Sequence, residues 1–291
     1  ADLGALVRPH LGRLGRALAA MTHPDGRIAL LNDSAFGVQP EPVGLAERAG
    51  APPAGAGSFA LADSGYYGAR TRSGDYVICD AGPLGPDHQP GHGHADLLSF
   101  ELSLRGTRVV VDAGVSTYEQ GRLRAYCRST RAHNTVEIEG RDQAELWAAF
   151  RVGRRPRPRG VAWTRLDDGF ELSARHDGYR RLAGRPRHAR RFRWRGAGGL
   201  EIDDRVDAGR PVRSVARLHF HPHCRLDDLG AGTGVVEFPG GRAGLSWSGW
   251  DAVAEDESLY CPAFGVARRN PCLAFSSVTA SLRGQIRIGP V

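Results

Sequence analysis

The chain contains no lysine; every basic residue other than histidine is an arginine. Schiff-base chemistry on a lysine amine is therefore excluded. Arginine-only usage beside abundant alanine, glycine and proline fits codon bias in a GC-rich genome. It equally fits a surface suited to anions, since a guanidinium fork grips carboxylate, sulfate or phosphate in bidentate fashion. No apolar run reaches the roughly 18 residues that a membrane-crossing helix needs, so no membrane span is expected. The segment opening at Ala1 has no basic-then-apolar leader, which leaves the compartment open. The five cysteines (Cys79, Cys127, Cys224, Cys261 and Cys272) are odd in number and lack CxxC spacing, against a zinc finger or a disulfide scaffold. GxSxG, Walker-type, GxGxxG and HExxH motifs are all absent, which removes the common hydrolase, nucleotide and metalloprotease signatures.

What is there is an ordinary globular composition, 41% apolar and 24% charged over 291 residues with a net charge of +7. That is long enough for one large all-β domain or two ordinary ones. Leu11, Leu14, Leu18 and Met21 recur at spacings of three and four, which predicts one apolar face of a helix. "HPDG" at 23–26 ends it, and "LLNDSAFG" at 30–37 reads as a loop with turn residues. "GAPPAGAGS" at 50–58 is a small-residue linker and the best boundary in the chain. Beyond it the period changes to two. Strands are expected at 75–79, 97–104, 107–112, 134–139, 170–175, 190–194, 200–206, 213–220 and 234–238, short and separated by turn residues. The expectation is a mainly β fold, a large antiparallel β-sandwich preceded by a short helical segment. "RVGRRPRPRG" at 151–160 reads as a solvated loop rather than a nucleic-acid arm, and no nucleic-acid partner is expected.

The reactive residue types gather in "PGHGHADLLSFELSLRGTRVVVDAG", residues 90–114. In an extended segment His92, His94 and Asp96 share a face. "RG" at 105–106 can close a hairpin, and counting back and forward from it places His94 near Asp112. His133 stands directly ahead of another strand. Two histidines and a carboxylate are a common zinc ligand set; the bland alternative is hydrogen-bonded histidines at strand ends. "RLHFHPHC" at 217–224 is as metal-like by spacing, but Pro222 interrupts it, so His219 and His221 read as strand and strand-end residues. Tyr118 and Tyr126 flank the arginine-rich "YEQGRLRAYCRSTRAHN". A phenol, guanidiniums and an imidazole near a metal suit β-elimination from a uronic acid. A cation neutralises the carboxylate, a base takes the C5 proton, and an acid protonates the departing oxygen.

"GHGHADLLSFELSLRGTRVVVDAGVSTY" and "RSTRAHNTVEIEGRDQAE" resemble the C-terminal β-sheet domain of the heparinase II/III-like polysaccharide lyases. "HPDGRIALLNDSAFG" is similar to the closing part of that family's helical (α/α) toroid. The resemblance implies residues 1–58 as toroid end and linker and 59–291 as the β-sandwich (supersandwich) domain. It implies zinc held by His94, Asp112 and His133, with His92 at the substrate cleft. Tyr118 and Tyr126 are then further catalytic candidates, and Arg128 and Asn134 substrate-binding ones. Family members often carry tyrosine four positions after the aspartate; here Ser116 stands there, with Tyr118 two further on. The family's principal catalytic tyrosine comes from helices upstream of this chain. The implied activity is lysis of an acidic, uronic-acid polysaccharide, a glycosaminoglycan or alginate, in the periplasm, cell envelope or medium. Two alternatives remain: a non-catalytic carbohydrate-binding sandwich with a structural metal, and a glycosidase using paired carboxylates. For the latter, Asp203–Asp204 and Asp227–Asp228 read as turn or strand-end acids.

Overall fold

The computed structural model describes residues 3–291. Two helices, α1 (Leu3–Ala20) and α2 (Pro42–Arg48), precede a five-stranded antiparallel sheet. Its strands, in spatial order, are β1 (Gly57–Leu61), β2 (Tyr66–Arg70), β3 (Tyr76–Asp80), β4 (Phe100–Leu104) and β5 (Thr107–Val110). Helix α3 (Arg122–Arg128) follows, then β6 (Val136–Ile138) and a small ribbon of β7 (Leu146–Trp147) and β8 (Arg151–Val152). The rest of the chain forms a ten-stranded sheet with β6. Its members are β9 (Pro158–Leu166), β10 (Gly169–His176), β11 (Arg187–Arg195), β12 (Leu200–His219), β13 (Arg225–Asp227), β14 (Thr233–Phe238), β15 (Gly241–Ser248), β16 (Ala252–Glu255) and, after the short pair β17 (Leu259–Tyr260) and β18 (Arg268–Arg269), β19 (Cys272–Gly289).

Alternation explains the two layers. Phe170 and Leu172 of β10, Phe192 and Trp194 of β11, Ile202 and Val206 of β12 and Ile286 and Ile288 of β19 point inward. There they share one core with Val77, Cys79, Phe100 and Leu102 of the smaller sheet. The smaller sheet is covered on its other face too, where Ala29 and Leu31 pack on Tyr76 and Ile78. That is why β3 reads as a nearly continuous apolar run, while in β4 the second buried face is polar, with Glu101 and Ser103 paired to the buried His23.

Several elements depart from expectation. The segments 200–206 and 213–220 belong to one 20-residue strand, β12, which absorbs the intervening polar residues in a bulge between Asp207 and Val212. Its partner β19 is 18 residues long. Asp203 and Asp204 therefore sit within a strand, not at its end. Strand β1 begins inside the glycine-rich linker, and β9 begins inside the arginine–proline tract. The helical face is only partly covered. Met21 packs against the smaller sheet, whereas Leu11 and Leu14 stay 37% and 59% exposed.

Candidate functional site

The hairpin of β4 and β5 builds the floor of the site. Arg105 and Gly106 both take left-handed backbone angles (φ 50° and 81°), the mirror turn that suits the strand twist. Val109 is an extra residue on β5, a bulge that shifts the register between Leu102 and Ser103. Beyond the hairpin, the backbone N–H of Asp112 donates to Oε1 of the buried Glu101 at 2.9 Å. A Cβ on Gly114 would lie 2.6 Å from the Cys261 carbonyl oxygen, and its φ is +68°, so only glycine fits the turn behind Asp112.

His94, Asp112 and His133 converge here. All three are fully buried, and each offers a ligand atom within 4.8 Å of the others. His133 Nδ1 lies 2.8 Å from Asp112 Oδ2, and the two imidazole centroids are 5.3 Å apart. Burial draws the His94 imidazole down to about 4, so it is neutral near pH 7. Burial opposes a charge on His133 as well, yet the adjoining Asp112 carboxylate raises it. Among the described residues no such group forms around His219, His221 and His223.

An acid outside the motif organises the cluster. Asp33, in the loop after α1, accepts from His94 Nε2 at 2.8 Å and from His92 Nδ1 at 2.9 Å. The guanidinium of the buried Arg124 closes on the same carboxylate, with Nη2 to Oδ2 at 2.8 Å. Burial would push the Asp33 carboxyl up, but hydrogen bonds from His94 and Arg124 hold it well below the usual carboxylate range. An ionised carboxylate can only accept, so both imidazole nitrogens facing it carry the proton. The Nδ1 lone pair of His94 is thereby left free.

This arrangement fits a divalent cation. His94 Nδ1, His133 Nε2 and both oxygens of Asp96 are buried without a hydrogen-bond partner. Burial also pushes the Asp96 carboxyl up to about 7. Unpaired buried polar atoms are costly, and a metal ion is the group that satisfies imidazole lone pairs and a carboxylate together.

His92 faces the other way. It ends the short 3-10 turn Pro90–His92, and its side chain is 49% exposed. Its ring centroid lies 5.6 Å from both Tyr118 and Phe150, and Tyr118 packs edge-on against Phe264 at 4.9 Å. Tyr118, Phe264 and Asp33 line a hollow of about 280 Å³ that reaches Leu18 and Leu45 of the helical segment.

The remaining candidates lie elsewhere. Tyr126 is in a separate hollow, its hydroxyl accepting from the Leu259 N–H at 3.0 Å, and burial pushes it up to about 12. Arg128 is buried, and its donors are taken by the carbonyls of Gly93, Ala149 and Arg151. Asn134 is also buried; it donates to the carbonyls of Phe100 and Val111 and accepts from the His219 N–H. As the side chains stand, both hold loops together and neither presents a polar group to a substrate. Asp33 and Arg124 are the residues that sequence reasoning missed.

A family model described as "Heparinase II/III-like, C-terminal" matches residues 53–288. Among solved structures, the heparan sulfate lyase HepC from Pedobacter heparinus superposes with a TM-score of 0.74 at 16% identity, over 94% of this chain and 46% of that one. A structure of heparinase III superposes with a TM-score of 0.75 at 15% identity, over 100% of this chain and 49% of that one. No curated protein matches in sequence. The chain spans about half the length of the solved structures it matches, and at these identities the likeness is one of fold.

Proposed function

The chain belongs to the heparinase II/III-like C-terminal family, and from that premise we propose that it is the β portion of a polysaccharide lyase that breaks uronic-acid glycans by β-elimination. Residues 1–58 are then the closing end of a helical domain, and 59–291 the sandwich. A glycosaminoglycan ranks ahead of alginate because the structural relatives include a heparan sulfate lyase. A polymeric substrate favours a reaction outside the cytoplasm, in the envelope or medium.

The observation that carries the reading is that one carboxylate, Asp33, grips two imidazoles with opposite outlooks. His94 looks inward to a metal-like trio, while the half-exposed His92 looks outward beside the rings of Tyr118 and Phe150. With Nδ1–H donated to Asp33, His92 keeps an Nε2 lone pair that can take the proton from C5. The Tyr118 phenol beside it can protonate the departing glycosidic oxygen. Arg124, stacked 5.1 Å over the Tyr118 ring, fixes Asp33 and so the His92 tautomer. A zinc-like cation on His94, Asp112 and His133 would lock the loop that carries His92 and add positive charge beneath the cleft.

The complete burial of the trio favours a second reading, a carbohydrate-binding sandwich whose metal is only structural. Natural full-length protein, wild type and His92→Ala, separates the two. On uronic-acid glycans, the rise in unsaturated product should fall by about 10²–10⁴-fold in the variant, with metal content unchanged. Full turnover in His92→Ala, or loss only in proportion to lost metal, removes the catalytic role.

A further inference from the structure

A second feature lies on the opposite side of the large sheet. Arg190 of β11 points inward and donates to the carbonyls of Leu98 and Asn134, next to the His94 cluster. Its neighbours Ala189 and Arg191 must therefore face away from the cluster. On that outer face the registers of β9, β10, β11, β12 and β19 bring Arg159, Arg175, Ala189, Arg205 and Arg283 into a single row across the strands. With strands about 4.8 Å apart, the row runs for roughly 19 Å. Arg191, Asp203 and Gln285 form part of the next row. Ala189, Ser173 and Gly160 leave the middle low, and the result is a trough of about 590 Å³.

Its charge is unbalanced. Arg205 stands directly opposite Arg283, and Arg159 opposite Arg175, like-charge pairings that weaken a sheet. Asp207 is shared between Arg205 (2.6 Å) and Arg283 (2.8 Å), Asp203 pairs with Arg191 (2.6 Å), and Arg159 pairs with Asp177 (3.1 Å). The exposed Arg175 guanidinium, stretched over Gly160, faces no carboxylate within ion-pair distance among the described residues. Each of these forks still has N–H donors to offer, in the geometry that sulfate and carboxylate accept. Among the described residues no aromatic ring lines the trough, so stacking of nucleic-acid bases has no platform there.

We propose that this trough is a second glycan-binding site, which holds a sulfated or carboxylated saccharide chain across the strands of the outer face. The choice of a glycan among polyanions rests on the lyase reading; the trough itself does not. The test is calorimetric titration of the 291-residue protein with a size-defined heparin oligosaccharide at low and high salt. Arg72→Ala, which removes an exposed charge outside the trough lining, should leave this binding within twofold, whereas Arg175→Ser/Arg205→Ser should weaken it at least tenfold. Arg175→Lys/Arg205→Lys, which keeps the charge but loses the fork, should fall between and controls for folding. Unaltered binding in the serine variant, absence of binding by wild type, or equal affinity for a mixed-sequence oligonucleotide would each overturn the proposal. Failure of the lyase reading would show separately, as missing unsaturated product from full-length protein that still binds the oligosaccharide.

Discussion

Asp33 is the residue on which the site turns. Its carboxylate accepts from His92, His94 and Arg124 at once, and its removal strands the Arg124 guanidinium in a fully buried position. Asp33→Asn keeps the shape but leaves one acceptor oxygen for three donors. The expected cost is about 3–5 kcal/mol in urea unfolding, the range for breaking a buried ion pair. Affinity for a divalent metal should drop about 10–100-fold, because the partner that orients a ligating imidazole is lost. Chelator competition reads the second effect, and unchanged affinity would mean that Asp33 does not set the His94 tautomer. The approach of His94 to Asp112 was legible from a countable hairpin, and His133 joined them through the resemblance of "RSTRAHNTVEIEG" to the family. Asp33 was not legible, since "LLNDSAFG" carries only turn chemistry and its partners lie some 60 residues away or more. The contacts of Arg128 were hidden for the converse reason. An arginine-rich helix reads as an anion site until Gly93, Ala149 and Arg151, from other segments, cover it with carbonyls.

At the scale of elements, the turn between His92 and His94 depends on a close approach. A Cβ on Gly93 would lie 2.2 Å from the Leu84 backbone oxygen and 2.3 Å from the Leu84 Cδ2, so the loop must move to accommodate it. Gly93→Ala should destabilise by about 1–3 kcal/mol, as overpacking does. It should also lower metal retention more than a neutral surface change such as Arg72→Ala. A crystal structure of the variant with the 90–96 backbone unmoved would contradict this account. Strands with one apolar face and one charged face, such as β10 and β11, were legible from period two alone. Strand β19 was not, because "SSVTASLRGQ" breaks its pattern with small residues and a glycine while its hydrogen bonds to β12 continue. β12 was divided in two for the same kind of reason: the bulge hides the strand from a test of alternation, not from its partner. Strand β9 escaped because it opens on Pro158 and Gly160 and its register with β10 shifts between Ser173 and Arg175, which breaks the alternation.

For the whole molecule, the telling quantity is how many imidazoles the core holds neutral. Burial lowers His23, His94 and His221 to about 4 and His219 to about 3, and it lowers His176 and His188 as well. Each folded value lies below the unfolded value near 6.5, so on acidification the unfolded chain binds protons first. Stability is therefore full above about pH 6.5 and is lost as pH falls toward each folded value. Asp80, Asp96 and Asp142, raised chiefly by burial, work in the opposite sense and offset up to three of the six, whereas His133, raised by Asp112, changes its contribution only above about pH 6.5. Asp204, held down to about 2 by Arg190 and His188 against the effect of burial, adds its loss only below about pH 4. A net difference of about three protons corresponds to roughly 4 kcal/mol per pH unit at the steepest point. That is a large share of the 5–15 kcal/mol typical of a folded domain. Urea midpoints should thus fall sharply between pH 7 and pH 5 with an unchanged slope, m, of stability against denaturant. Raised salt distinguishes this cause from surface repulsion in a chain of net charge +7, since exposed charges are screened and buried imidazoles are not. A midpoint that holds steady from pH 7 to pH 5 would show that these histidines do not enter the fold neutral. A fall abolished by salt would assign it to the arginine surface instead.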